Sequence, residues 1–171
     1  MTGMLDLYLM RHGIAVESRA AGSAADAERP LTPEGREKVV RAARWLAALA
    51  PGLAAIHSSP CVRARQTAEI VAESLQLQKR LVLNEALAPE AAAGTLIRSL
   101  SMLRPPPKAL LLIGHEPGLG ELAGLLLTGR PGALFAFKKA GIAKLTVTAL
   151  TAGRCATLDW LITPRALMGM Q

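Results

Sequence analysis

Apolar positions along the chain switch repeatedly between a two-residue and a helical period. Leu5 to Met10 alternates and is rich in β-formers, which predicts a strand. Thr32 then stands where a helix cap is needed, with Pro33 at the first helical position and Glu34 at the positive end of the dipole. Val39, Val40, Ala43, Leu46, Ala47 and Ala50 form the stripe this helix is expected to bury, and Pro51-Gly52 ends it. Leu53 to His57 is a second, short strand. Ser59-Pro60 reads as the cap and first turn of a helix striped by Ala64, Ala68, Val71 and Leu75. Arg80 to Leu83 is a third strand, and Ala93 to Leu103 a helix stopped by Pro105-Pro106-Pro107.

Ala109 to Ile113 is the most apolar strand, as expected at the centre of a parallel sheet covered on both faces. A helix from Pro117 turns Leu119, Leu122, Ala123, Leu126 and Leu127 inward, although Gly118, Gly120 and Gly124 weaken its regularity. Arg19 to Arg29 has no period and predicts a mobile surface loop. Ile142 to Leu150 and Cys155 to Ile162, joined by Thr151-Ala152-Gly153-Arg154, read as a β-hairpin. Strands alternating with helices, then a hairpin, give α/β with a mostly parallel sheet and antiparallel strands at the end. At 171 residues the expectation is one domain, with its core over about 5–162 and a tail over 163–171.

Composition narrows the function. The chain is 51% hydrophobic and 19% charged, with a mean hydropathy of +0.30, so it is globular and not disordered. Its longest apolar stretches, Ala109 to Gly114 and Leu122 to Leu127, are too short to span a bilayer. With no basic segment ahead of a long apolar core at the N-terminus, the expected location is the cytoplasm. A net charge of +7 favours anionic partners. Nucleic acid is disfavoured among them, because aromatics are 3% of the chain and Arg36, Arg41, Arg44, Arg104, Lys108, Lys138, Lys139 and Lys144 form no single run.

Cys61 and Cys155 make neither a disulfide framework nor a zinc site and are expected to be buried small hydrophobes. A cysteine-based phosphatase needs an arginine six positions after its nucleophile, where this chain has Thr67 and Leu161. No metal or cofactor is expected. Gly118-Leu119-Gly120 with Gly124 is no dinucleotide loop, since it follows His115-Glu116-Pro117 and lacks an acidic partner about twenty residues on.

Three strands end in polar residues that parallel pairing would bring to one edge, where open sheets bind ligands. They run into Arg11-His12-Gly13, into His57-Ser58-Ser59-Pro60-Cys61-Val62-Arg63, and into Gly114-His115-Glu116-Pro117. The second and third lead into helix N-termini, whose free N–H groups attract anions. Two arginines and two histidines can therefore converge, and a buried guanidinium usually means an anionic ligand or an ion pair.

On these residues the chain resembles the histidine phosphatase superfamily, specifically its SixA-type phosphohistidine phosphatases. The resemblance runs through Leu7 to Ala15, Arg29-Pro30-Leu31-Thr32-Pro33-Glu34-Gly35, Ser58-Ser59-Pro60 with Arg63 and Gln66-Thr67-Ala68, Ile113 to Pro117, and Lys138-Lys139-Ala140-Gly141. It implies a phosphoglycerate mutase-like, three-layer α/β/α fold and a phosphatase with His12 as the nucleophile that carries the phosphoryl group. Arg11, Arg63 and His115 would surround the phosphoryl oxygens, with Gly13 and Ser59 as candidate substrate-binding positions. Glu85 and Glu116 are the candidate proton donors, each with a plain alternative: Glu116 capping the Pro117 helix, Glu85 solvated. Ile14-Ala15 replaces the Glu-Thr common in the mutase branch, which counts against a sugar-phosphate mutase. The expected partner is a phosphorylated protein bearing phosphohistidine; the alternatives are a small anionic phosphate ester on the same core and a non-catalytic phosphoryl-binding module.

Overall fold

Strands buried on both faces need a layer of helices on each, and the two sets of alternating side chains here find them. The structure, a computed structural model, describes residues 4–17 and 23–168. Its strands are β1 (Leu5–Arg11), β2 (Ala55–Ser58), β3 (Leu81–Leu83), β4 (Ala109–Gly114), β5 (Ile142–Val147) and β6 (Ala156–Ile162), in the order β3-β2-β4-β1-β5-β6. The first four of that order run parallel; β5 pairs antiparallel with β1, and β6 antiparallel with β5. The α/β sheet with a closing hairpin is therefore as the sequence predicts.

The helices are α1 (Ser23–Ala27), α2 (Pro33–Leu49), α3 (Val62–Ser74), α4 (Ala93–Ser101), α5 (Gly118–Thr128) and α6 (Pro164–Met168). On one face of the sheet Tyr8, Met10, Leu111 and Ile113 join Val39 and Leu46 of α2 and Ala68 and Val71 of α3. On the other, Leu7, Leu9, Leu110 and Leu112 join α4 and α5. Each buried leucine of β4 contributes about 2 kcal/mol by leaving water, and all six β4 positions are buried. Two cores back to back make three layers.

Several local expectations change. Thr32 caps α2 as expected, its Oγ1 accepting from the Gly35 N–H at 2.9 Å. The buried line of α2 runs through Gly35, Val39, Ala42, Ala43 and Leu46, leaving Ala47 exposed and Val40 half-buried on its flanks. Helix α3 begins at Val62 with Cys61 as its cap, not at Ser59-Pro60; the Ser59 hydroxyl lies ahead of the helix, where it contacts His115 and accepts the Cys61 N–H. The expected loop over 19–29 includes helix α1 at Ser23–Ala27, ordered by ion pairs from Asp26 to Arg29 and Arg63; its residues 19–22 lie outside the described residues. Pro164–Met168 of the expected tail is helical and packs on α2. Cys61 is buried, but Cys155 is only half-buried, sitting in the hairpin turn.

The glycines of α5 have a packing reason instead of a disordering effect. A Cβ on Gly120 would stand 2.6 Å from the Phe135 carbonyl oxygen, and one on Gly124 would overlap the carbonyl of Gly132. They let the segment after α5 cross tightly over an otherwise regular helix. Gly35 does the same for the chain leaving β1, where a Cβ would overlap the Ile14 carbonyl. Gly35→Ala is therefore expected to cost about 3 kcal/mol in urea unfolding, against about 1 kcal/mol for Ala47→Gly on the exposed side of the same helix.

Candidate active site

Register places the first two groups. Arg11 pairs with Gly114 across β1 and β4, and the next N–H, that of His12, donates to the Gly114 carbonyl at 3.1 Å. Ala140, at a φ of 61°, donates its N–H to the carbonyls of Arg11 and His12 and closes the other side. His12 and His115 thus sit on adjacent strand ends, their ring centroids 4.9 Å apart. Both are buried, at 6% and 5% exposure, and Arg63 is buried at 3%.

The tautomer of His12 follows from its partners. Nδ1 lies 2.7 Å from the Gly13 carbonyl, which only accepts, so Nδ1 carries the proton. Nε2 keeps its lone pair and faces the Arg63 Nε–H at 3.3 Å. Gly13 is held in turn by its N–H to Thr67 Oγ1 (3.1 Å), and Thr67 Oγ1 donates to the Arg63 carbonyl (2.7 Å). A Cβ on Gly13 would reach within 2.7 Å of Val39 Cγ2, so only glycine brings this carbonyl so close to α2.

The other donors are anchored from outside the cup. Arg11 Nη1 donates to the Phe137 carbonyl at 2.8 Å, and its Nε is buried without a protein acceptor. Arg63 Nη1 and Nη2 donate to the backbone carbonyl and Oδ2 of Asp26, at 2.6 and 2.8 Å. His115 Nε2 lies 2.8 Å from Ser59 Oγ, which accepts from the Cys61 N–H at 3.3 Å. That hydroxyl is then free to donate to Nε2, leaving the buried and unpartnered His115 Nδ1 as the N–H donor. The Arg11 Nε and His115 Nδ1 atoms are thus both buried without a protein hydrogen-bond partner.

Glu116 does not reach into the cup. Its Oε1 accepts from the Phe137 N–H at 2.9 Å and ties Phe137 under Arg11; the carboxylate also lies near the Gly120 N–H, but α5 has no side-chain hydrogen bond at its cap, Pro117. Desolvation raises its carboxyl above the ordinary range, against the opposing pull of those hydrogen bonds and of Arg11. Glu85 is exposed, in a turn of 3₁₀ helix at Glu85–Leu87. Asp26, Thr67 and Phe137 are the site residues to which sequence reasoning assigned no role. Thr67 stood inside a matching motif, whereas Asp26 lay in a segment without period and Phe137 contributes only its backbone. Among the described residues no group of three or more His, Cys, Asp or Glu side chains could hold a metal ion.

Burial dominates the titration of both histidines. It pulls His12 down to about 3; the Gly13 hydrogen bond opposes this, while His115, Arg63 and Arg11 add to it. Burial likewise takes His115 to about 4, helped by the charge of Arg63. Both rings are neutral at pH 7, so His12 Nε2 is an available nucleophile beside two guanidinium groups.

A model of the histidine phosphatase superfamily (branch 1) matches residues 7–94, a span containing Arg11, His12, Ser59 and Arg63. The chain belongs to the histidine phosphatase superfamily. Within that superfamily it is SixA-type. Phosphohistidine phosphatase SixA of Escherichia coli (strain K12) is 30% identical over 161 residues, 94% of each chain. A solved structure of the protein histidine phosphatase SixA complexed with tungstate is 28% identical, with a TM-score of 0.80 over 95% of this chain and 99% of that one. Mycobacterial glucosyl-3-phosphoglycerate phosphatase shares the fold at 20% identity, with a TM-score of 0.71 over 93% of this chain and 99% of that one.

Burial depresses all three histidines of this histidine phosphatase, His57 as well as His12 and His115, and the last two make its stability most strongly pH-dependent. The unfolded chain takes up protons on both rings near pH 6.5, whereas the folded chain resists until about 4 and 3. More protons are then bound unfolded, so stability falls as pH drops from 6.5 towards 4, each ring adding a slope of at most about 1.4 kcal/mol per pH unit. Urea unfolding at pH 7, 6 and 5 should show this decline, with a shallower slope in His115→Gln.

Proposed function

We propose that this chain hydrolyses phosphohistidine in proteins through a covalent phosphoryl intermediate on His12 Nε2. The observation that carries the reading is the neutral, tautomer-fixed imidazole whose unprotonated Nε2 meets the Arg63 Nε–H, with Arg11 and His115 beside it. Phosphoryl transfer spreads charge over the equatorial oxygens, and guanidinium forks with a ring N–H answer that charge. The unpartnered Arg11 Nε and His115 Nδ1 would find their acceptors on those oxygens. Tungstate, the tetrahedral oxyanion in the solved SixA structure, would occupy the same cup here.

In the first step His12 Nε2 attacks phosphorus and the substrate P–N bond breaks. The bonding pair returns to the substrate ring, whose other nitrogen is protonated, so neutral imidazole leaves. His12 becomes a phosphoimidazolium with Nδ1–H still on the Gly13 carbonyl. In the second step water attacks phosphorus, the P–Nε2 pair returns to His12, and the water's proton passes to phosphate or solvent. The bond broken and the bond made are of one kind, so no strong acid is required. Glu116 then serves as a positioning residue for Arg11 through Phe137, Glu85 stands outside the cup, Ser59 aligns His115, and Gly13 fixes the tautomer.

Rapid quench with labelled substrate should trap an acid-labile, base-stable phosphoryl group on His12. His12→Ala should lose turnover by about 10³-fold or more while keeping its unfolding midpoint, and Arg63→Lys by about 10²-fold. Phosphohistidine protein, phosphotyrosine peptide and phosphosugars should be compared in parallel by kcat/KM. A clear preference for phosphosugars would assign a small-molecule phosphatase, and no trapped phosphoryl group on any of them a binding module.

A further inference from the structure

Arg63 does not present its whole fork to the cup. One residue, Asp26, engages both terminal nitrogens, through its backbone carbonyl and its carboxylate. Only the Nε edge is left facing His12 Nε2. Asp26 therefore fixes the rotation of the guanidinium and stands one guanidinium's width from the nucleophile. Desolvation would raise this carboxyl, but Arg63 and Arg29 outweigh it and keep the group ionised. An anion so near the seat of a phosphoryl group weakens the binding of any phosphate. Its presence makes chemical sense where the group that departs is positive.

The surroundings of Asp26 agree. The residue also lines a cavity of about 540 Å³ together with Pro60, Cys61, Glu85 and Glu90. The chain carries 20 Lys and Arg against 13 Asp and Glu, yet every charged side chain on this lining is a carboxylate. In-line displacement sends the leaving group away from His12. The cup is lined by guanidinium groups and the cleft beside Asp26 by carboxylates, so the charge changes sign across the Arg63–Asp26 contact.

We propose that Asp26 positions Arg63 and selects phosphoryl groups carried on a cationic nitrogen, a phosphoimidazolium foremost, over alkyl and aryl phosphate esters. This rests on the phosphohistidine reading above and names what enforces it. As the P–N bond breaks, the electron pair goes to the ring nitrogen, the ring keeps its other proton, and the cation becomes neutral imidazole. At the transition state that ring still bears part of its positive charge, whereas an ester oxygen is gaining negative charge. An ionised carboxylate lowers the first barrier and raises the second.

The test is kcat/KM for free N-phosphohistidine and for p-nitrophenyl phosphate, measured on the wild-type chain, Asp26→Asn and Asp26→Ala. Asp26→Asn keeps an acceptor for Arg63 and removes the charge, so the phosphohistidine-to-ester ratio should fall about tenfold. Asp26→Ala also loosens Arg63; it should slow both substrates further and keep the lowered ratio. Thermal melts identify any variant whose loss is unfolding. A ratio within twofold of wild type in both folded variants, with equal losses on the two substrates, overturns the role of Asp26. If instead the wild-type chain turns over the ester and not phosphohistidine, the substrate reading itself fails and this inference falls with it.

Discussion

The pairing of β1 with β4 is the constraint on which the site depends. Parallel register sets Arg11 against Gly114, and the hydrogen bond from His12 N–H to the Gly114 carbonyl extends that register one residue past the strand. A slip of a single position would exchange the faces of Tyr8 and Met10 with those of Leu7 and Leu9, and both cores forbid it. The hydrophobic alternation that folds the sheet is thus also what brings His12 beside His115. Catalytic geometry here is a by-product of burial.

Burial has an electrostatic consequence. Removing two imidazoles from water next to two guanidinium groups disfavours their charged forms, so the cup holds its positive charge on arginine and keeps histidine neutral. Each arginine then needs an external anchor. Arg11 takes the Phe137 carbonyl, which Glu116 fixes from behind, and Arg63 takes Asp26. The side chains that line the cup are few; the groups that hold them in place extend to α1, to Glu116 ahead of α5 and to the crossing after it.

Much of this could be read from the sequence because it is written in local signals. Strand ends that carry Arg11-His12-Gly13 and Gly114-His115 announce themselves by apolar runs stopping at polar residues. Thr32-Pro33 marks a helix start for steric and capping reasons that hold in any context. Ser59-Pro60 carries the same signal, but the helix starts two residues later, at Val62: the Ser59 oxygen accepts only the Cys61 N–H ahead of α3, and the hydroxyl also meets His115. Asp26 escaped for a different reason: its order comes from Arg63, far away in sequence, and from a local pair with Arg29, and not from any apolar period of its own. The backbone carbonyl of Phe137 has no residue-level signature at all.

The two glycines of α5 give the site an asymmetry that bears on how such enzymes diversify. Gly120 and Gly124 press the chain that leads to Phe137 onto the helix, so the wall behind Arg11 is built of main chain in contact with main chain. A side chain added at either glycine would collide with a carbonyl, and Glu116 pins the same wall through the Phe137 N–H, so it tolerates little change. Arg63 is held differently, in part by the Asp26 carboxylate, which a single codon change can replace while the backbone carbonyl stays. One arginine is thus anchored wholly by main chain, whereas half of the other's anchor is free to drift with the sequence.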